Sequence, residues 1–127
     1  MATSTQPLLR GVDFISLPTR DWEAASRFYG ETLGLEAGKR WGSMPAGEFE
    51  TGTVTIALMQ VDAFGIEFSA NATPLEFHVE DFEETMAQLE SRGVEFISGV
   101  IDSGVCKQAI FRDPDGNSLA IHHRYAP

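Results

Sequence analysis

Along this chain the apolar positions switch between a period of two and a period of 3.6 residues, and the switch occurs twice in the same order. Gly11 to Leu17 alternates around Val12, Phe14 and Ile15 as a strand does. Pro18 ends that run, and Asp21 is placed to cap a helix. From Asp21 to Leu33, residues Trp22, Ala25, Phe28, Tyr29 and Leu33 fall on one stripe, and Gly34 offers the left-handed stop. The order then recurs. Leu75, Phe77 and Val79 alternate, Asp81 caps, Phe82, Thr85, Met86 and Leu89 form the stripe, and Gly93 ends the helix. Laying DWEAASRFYGETLGL over DFEETMAQLESRGV brings Asp21 onto Asp81 and Trp22 onto Phe82, so the pattern predicts an internal duplication.

Three strand-like runs follow each helix: Leu35–Trp41, Gly47–Gly52 and Val54–Val61 in the first half, Val94–Ile101, Val105–Phe111 and Ser118–Arg124 in the second. Each half therefore reads βαβββ, with modules at 11–61 and 74–125. Residues 62–73 form the linker, where Ile66-Glu67-Phe68 is a candidate short strand. Asp113-Pro114-Asp115-Gly116-Asn117 has the chemistry of a tight turn between the last two strands, since proline presets φ and Gly or Asn accepts a positive one.

Length and composition narrow the picture. At 127 residues the chain supports a single domain over 1–127, and 43% apolar with 22% charged residues is a globular composition. Nineteen acidic against nine basic residues give a charge of −10, the wrong sign for a nucleic-acid backbone or an anionic membrane surface. No apolar run approaches the roughly 20 residues that cross a bilayer. Cys106 is the one cysteine, so an intrachain disulfide and a Cys-x-x-Cys zinc motif are excluded, and a reducing cytoplasm is the expected compartment. No motif marks Cys106 as a nucleophile, and it reads as a small buried hydrophobe. A GxSxG elbow, a phosphate-binding glycine loop and an HExxH helix are also missing.

The two βαβββ halves, the helix opening RDWEAASRFYGETLGL and the ending FRDPDGNSLAI together resemble the vicinal oxygen chelate superfamily, which includes glyoxalase I, extradiol dioxygenases and the fosfomycin and bleomycin resistance proteins. The resemblance implies an α+β fold of the glyoxalase/bleomycin resistance/dihydroxybiphenyl dioxygenase-like kind, in which two modules build a cup-shaped mixed sheet with helices outside. It also implies metal ligands on the first and last strand of each module. In this chain those positions fall on Phe14, Ala57, Ala120 and near Pro74, and none of these side chains carries an imidazole or carboxylate donor; a slip at the last position would bring in Glu76 or His78, but a lone ligand does not hold a metal. The expectation is a cup with no metal and no cofactor, as in the bleomycin resistance branch. A homodimer is expected too, because pairing of the first module of one chain with the second of another is common in these families.

Strand alternation extends the cup from those positions to Ser16, Thr55, Met59, Glu76, His78, Ser118 and His122. The candidate ligand-binding residues are Phe14, Trp41 and Met59 for apolar contact and Glu76, His78 and His122 for polar contact. His78 and His122 could donate to a ligand or act as bases near neutral pH, or could be hydrogen-bonded to backbone or to Glu76 as ordinary structural groups. His123 should face away from His122. The expected function is metal-free binding of an apolar or aromatic metabolite or antibiotic. The alternative is a metal-independent lyase or isomerase, which requires Glu76, His78 and His122 to converge within hydrogen-bond reach.

Overall fold

The computed structural model describes residues 6–127 and contains two mixed four-stranded sheets and two main helices. The first module comprises β1 (Phe14–Thr19), α1 (Trp22–Arg27), β2 (Glu36–Arg40), β3 (Ala46–Glu50) and β4 (Thr55–Gln60). The second comprises β5 (Leu75–His78), α2 (Phe82–Ser91), β6 (Ile101–Asp102), β7 (Cys106–Arg112) and β8 (Ser118–Arg124). Strand orders β1-β4-β3-β2 and β5-β8-β7-β6 are the same circuit twice, with the first strand of each module parallel to its last. Both helices are capped at the predicted residues: Asp21 accepts from the Ala24 N–H and Asp81 from the Glu84 N–H. Among the described residues no helix is long and apolar enough to cross a membrane.

Three elements differ from the sequence pattern. The first helix is regular only to Arg27, and Phe28–Thr32 winds as a π turn in which the Leu33 N–H donates to the Phe28 carbonyl at 2.9 Å. The widened turn carries Tyr29, which is 0% exposed and packs against Phe28 and Phe49 at ring separations of 5.4 and 6.2 Å. The expected strand Val94–Ile101 shrinks to Ile101–Asp102 plus a single bridge between Phe96 and Phe111. There the Ser98 hydroxyl accepts the Ile110 N–H at 2.9 Å, so a side chain occupies a donor that strand pairing would have used. Ile66-Glu67-Phe68 forms no strand; instead the Phe68 ring lies under the Arg20 guanidinium at 3.6 Å.

The two modules share one core. Leu17, Tyr29, Ile56 and Leu58 from the first half join Phe82, Leu89, Phe111 and Ile121 from the second in a single buried cluster. These side chains lie on the helix-facing side of each sheet, whereas each helix keeps a charged outer face, such as Glu23, Arg27 and Glu31 on the first. The opposite faces of the sheets point outward, with Phe14, Ser16, Glu76 and His78 exposed.

What fixes the modules to each other is polar. The Asp113 carboxylate, buried at the start of the predicted turn, accepts from the Tyr29 hydroxyl at 2.7 Å, from the Asn117 side-chain amide at 2.8 Å and from the Asn117 and Asp115 N–H groups at 2.9 Å. Asn117 donates to the Pro18 carbonyl at 2.8 Å, and Asp115 accepts from the Arg20 N–H at 2.8 Å and from the Thr19 hydroxyl. The segment expected only as a tight turn between the last two strands is thus also a clamp reaching from the second module into the first. The linker is latched beside it: the Asn71 side chain accepts from the Ser118 N–H at 2.9 Å and donates to the Ser118 carbonyl at 3.1 Å.

Burial, the neighbouring charge of Asp113 and the hydrogen bond to it push the Tyr29 phenol far above its ordinary value of 10. A proton bound more tightly in the folded chain stabilises it fully below pH 10, and that contribution is lost as pH rises above 10. Tyr29→Phe removes one donor to a buried carboxylate and is expected to cost about 1–3 kcal/mol at neutral pH. Because the variant has nothing to ionise there, its deficit relative to the parent should narrow in urea denaturation as pH is raised from about 9 to about 11. A deficit that stays constant over that range would show that Tyr29 is not held protonated by the clamp.

Candidate functional site

The outward face of the first module follows from strand alternation. Register places Phe14 beside Thr55 and Thr55 beside Glu50, and Ser16 beside Ala57 and Ala57 beside Glu48, so these six side chains share one surface. Phe14 is 41% exposed and meets the Trp41 ring edge-on at 5.6 Å. Trp41 in turn meets Phe64, from the 3-10 turn Val61–Phe64, at 6.4 Å and 84°. The Trp41 indole N–H donates to Glu48 Oε2 at 2.8 Å, and the Thr55 hydroxyl donates to Glu50 Oε1. Met59 stands on the same face, paired with Ala46, two alternations along β4 from the Phe14 row.

Phe64, Glu48 and Glu50 were not among the expected site residues. Period two in Gly47-Glu48-Phe49-Glu50 carries the signal for the glutamates, since buried Phe49 sends both neighbours to the other face. Nothing in the local pattern marks Phe64, which reaches the face only through the turn after β4.

On the second module, Glu76 pairs in register with Ala120 and His78 with His122. Among the described residues no hydrogen bond joins any two of the three polar candidates. The His78 side chain is 65% exposed, and its Nε2 lies 2.9 Å from the Glu80 carboxylate, which is held below its ordinary range by that contact. His122 is half-buried and its ring makes no hydrogen bond among the described residues. His123 is fixed separately, its Nδ1 2.9 Å from the Val79 carbonyl, although its ring centroid comes within 6.2 Å of that of His78. An open recess of about 460 Å³ lies on this face, lined by Pro74, Ile97, Ile110, Arg112 and Ser118 among others. A second cleft, of about 330 Å³, opens between the modules, walled by Ile15, Leu35, Val54, Phe77 and Leu89, and two of the expected site residues, Glu76 and His78, stand at its lining.

The residues at the expected ligand positions do not fit a metal. Ala57 and Ala120 are 0% exposed, Phe14 packs on Trp41, and Pro74 lines the recess. Among the described residues no three His, Cys, Asp or Glu side chains are placed to share an ion. Cys106 is half-buried, with its sulfur 3.2 Å from the Ser103 hydroxyl and no base beside it.

Solved structures repeat the architecture. A glyoxalase family protein from Bacillus anthracis superposes with a TM-score of 0.79 at 20% identity, covering 95% of this chain and 100% of its own. The antibiotic binding protein TnmS3 from Streptomyces sp. CB03234 gives 0.78 at 24% identity, with 94% and 100% covered. Lactoylglutathione lyase from Agrobacterium tumefaciens gives 0.73 at 18% identity, with 92% and 96% covered. At these identities the likeness is one of fold, and no curated protein matches the chain. Residues 11–121 match the Glyoxalase/Bleomycin resistance protein/Dioxygenase superfamily, and with two βαβββ modules in the order that family shares, the chain belongs to it.

Proposed function

We propose that this chain is a metal-free small-molecule binding protein that holds an apolar or aromatic ligand on the outward faces of its sheets. The observation that carries the reading is the Phe14–Trp41 edge-on pair, part-exposed on the face where the family's enzymes hold an ion and where this chain supplies no donor. Exposed aromatic surface of that kind is costly to leave in water and is a common lining of ligand sites. Phe14, Trp41 and Met59 supply apolar contact; His122, with an uncommitted ring, and Glu76 supply polar anchors. His78 is the weaker candidate, because its imidazole already contacts Glu80. The antibiotic-binding neighbour supports an antibiotic or similar metabolite as the ligand class. Acid–base catalysis by Glu76, His78 and His122 is the second reading, and the lack of a hydrogen bond between any two of them among the described residues favours binding over it.

We further propose that the protein acts as a homodimer in the cytoplasm, with the first-module face of one protomer closed by the second-module face of its partner. The clamp holds the two faces of one chain outward, so neither covers the other, and Ile97, Val100 and Ile101 are left exposed on the second module. A single free cysteine suits a reducing compartment.

A thermal-shift screen across antibiotics, aromatic acids and aromatic amines tests the function, since a ligand bound only by the native state raises Tm. Trp41→Ala should weaken any hit about tenfold, while His123→Ala should leave it within about twofold; the opposite ranking would move the site off this face. Elemental analysis after dialysis should find no stoichiometric zinc, nickel, iron or manganese, and about one ion per chain would refute the metal-free reading. Sedimentation at micromolar concentration should give a dimer, and a species of only 13.9 kDa would reject the paired faces.

A further inference from the structure

The first-module face joins aromatic rings to carboxylates that have no cationic partner. The ion pairs among the described residues are Arg20–Asp115, His78–Glu80 and Lys107–Glu83, and none of them involves Glu48 or Glu50. Arg40, which ends β2, is turned to the other side of the sheet, where it lies over the Trp22 ring at 4.6 Å and donates to the Ala46 and Met44 carbonyls. Each glutamate is half-buried and has one oxygen engaged, Glu48 by the indole N–H and Glu50 by the Thr55 hydroxyl. Half-buried carboxylates without a counter-charge favour an arriving cation, which regains in the site the interactions it loses from water.

The rings favour the same charge. Phe14 and Phe64 both meet Trp41 edge-to-face, at 68° and 84°, and the three rings gather around the carboxylate that the indole binds. An aromatic face carries the negative part of the ring quadrupole, and indole is the best of the three common rings at holding a cation. Donation of the indole N–H to a carboxylate pushes electron density back into the ring and deepens that attraction. At longer range a net charge of −10 steers cations toward the protein and repels anions.

From these observations we infer that the ligand of this face is an organic cation, an ammonium or amidinium group carried on an aromatic or apolar skeleton, with the skeleton against the aromatic rings and the charge beside the Glu48 and Glu50 carboxylates. The inference rests on the reading that the face binds small molecules and narrows it to one charge class, excluding aromatic carboxylates.

Three probes with one ring system separate the two ideas: 1-naphthylmethylamine, which is cationic at pH 7, neutral 1-naphthalenemethanol, and anionic 1-naphthoate. Dissociation constants would be measured by calorimetry on the whole protein at low salt, with the ¹⁵N–¹H signal of the Trp41 indole reporting location. The amine should bind about threefold to thirtyfold tighter than the alcohol, and the carboxylate weakest of the three. Raising the ionic strength to about 0.5 M should shrink the margin without abolishing binding of the alcohol. Glu48→Gln, which keeps an acceptor for the indole N–H, should bring the amine close to the alcohol, and Trp41→Leu should remove all three. If the alcohol or the carboxylate binds as tightly as the amine, with binding still lost in Trp41→Leu, the cation assignment fails and the small-molecule reading stands. If none of the three shifts the indole signal at millimolar concentration, or if Trp41→Leu leaves binding intact, both fail. The comparison of the three probes on the unmutated protein decides the question even if a variant does not fold.

Discussion

A carboxylate removed from water must be given donors or lose its charge, and the Asp113 carboxylate takes its donors from both halves of the chain. Three come from its own turn, and the Tyr29 hydroxyl comes from the first module. Separating the modules would strand that group, so the turn sets their relation as firmly as the shared apolar core does. The rest of the architecture follows. With the helix-facing sides locked together, both sheets turn their other faces out, and a surface that could have been core becomes available for binding.

The same arrangement lets the two faces diverge. The modules share one strand order and one kind of helix cap, yet one outward face carries Phe14, Trp41 and two glutamates, whereas the other carries imidazoles and a recess edged by Arg112. None of these residues belongs to the clamp or to the buried cluster, so they can vary with little cost to the fold. Fold and chemistry are therefore carried by different residues of the same strands, in alternation.

That separation also governs what could be read from the chain in advance. The strand and helix order was legible because Asp21 and Asp81 cap amphipathic stripes and because Gly11–Leu17 and Leu75–Val79 alternate. The π turn was not, since Tyr29 satisfies a helical stripe equally well when the helix widens, and only the distant Asp113 shows why it must. The loss of most of Val94–Ile101 as a strand came from Ser98, whose hydroxyl competes for one N–H, an effect periodicity does not register. Strand alternation read Phe14, Met59, Glu76 and His122 as the lining of a cup; in the structure Phe14 and Glu76 are exposed and Met59 and His122 half-buried. It missed Phe64, which arrives from a turn, and it did not register that Glu80, two residues along the chain, meets the His78 ring at the edge of the inter-module cleft.

Each sheet is completed from its middle. The last strand of a module lies between its first and third strands, so β8 separates β5 from β7 and β4 separates β1 from β3. Phe14 has no lateral partner until Thr55 is in place, and Leu75 none until Leu119 is. During synthesis the first module can close while the second is still being made, but a nascent second module lacks β8, its clamp and most of its pairing until Ser118–Arg124 has emerged. For that interval β5 and β7 expose unpaired edges beside a finished neighbour of the same topology, which could accept one of them in error. The duplication that makes the fold simple to encode thus creates its own competing partner on the ribosome, and β5, only four residues long, preceded by Pro74 and carrying Glu76, is poorly suited to that mistake.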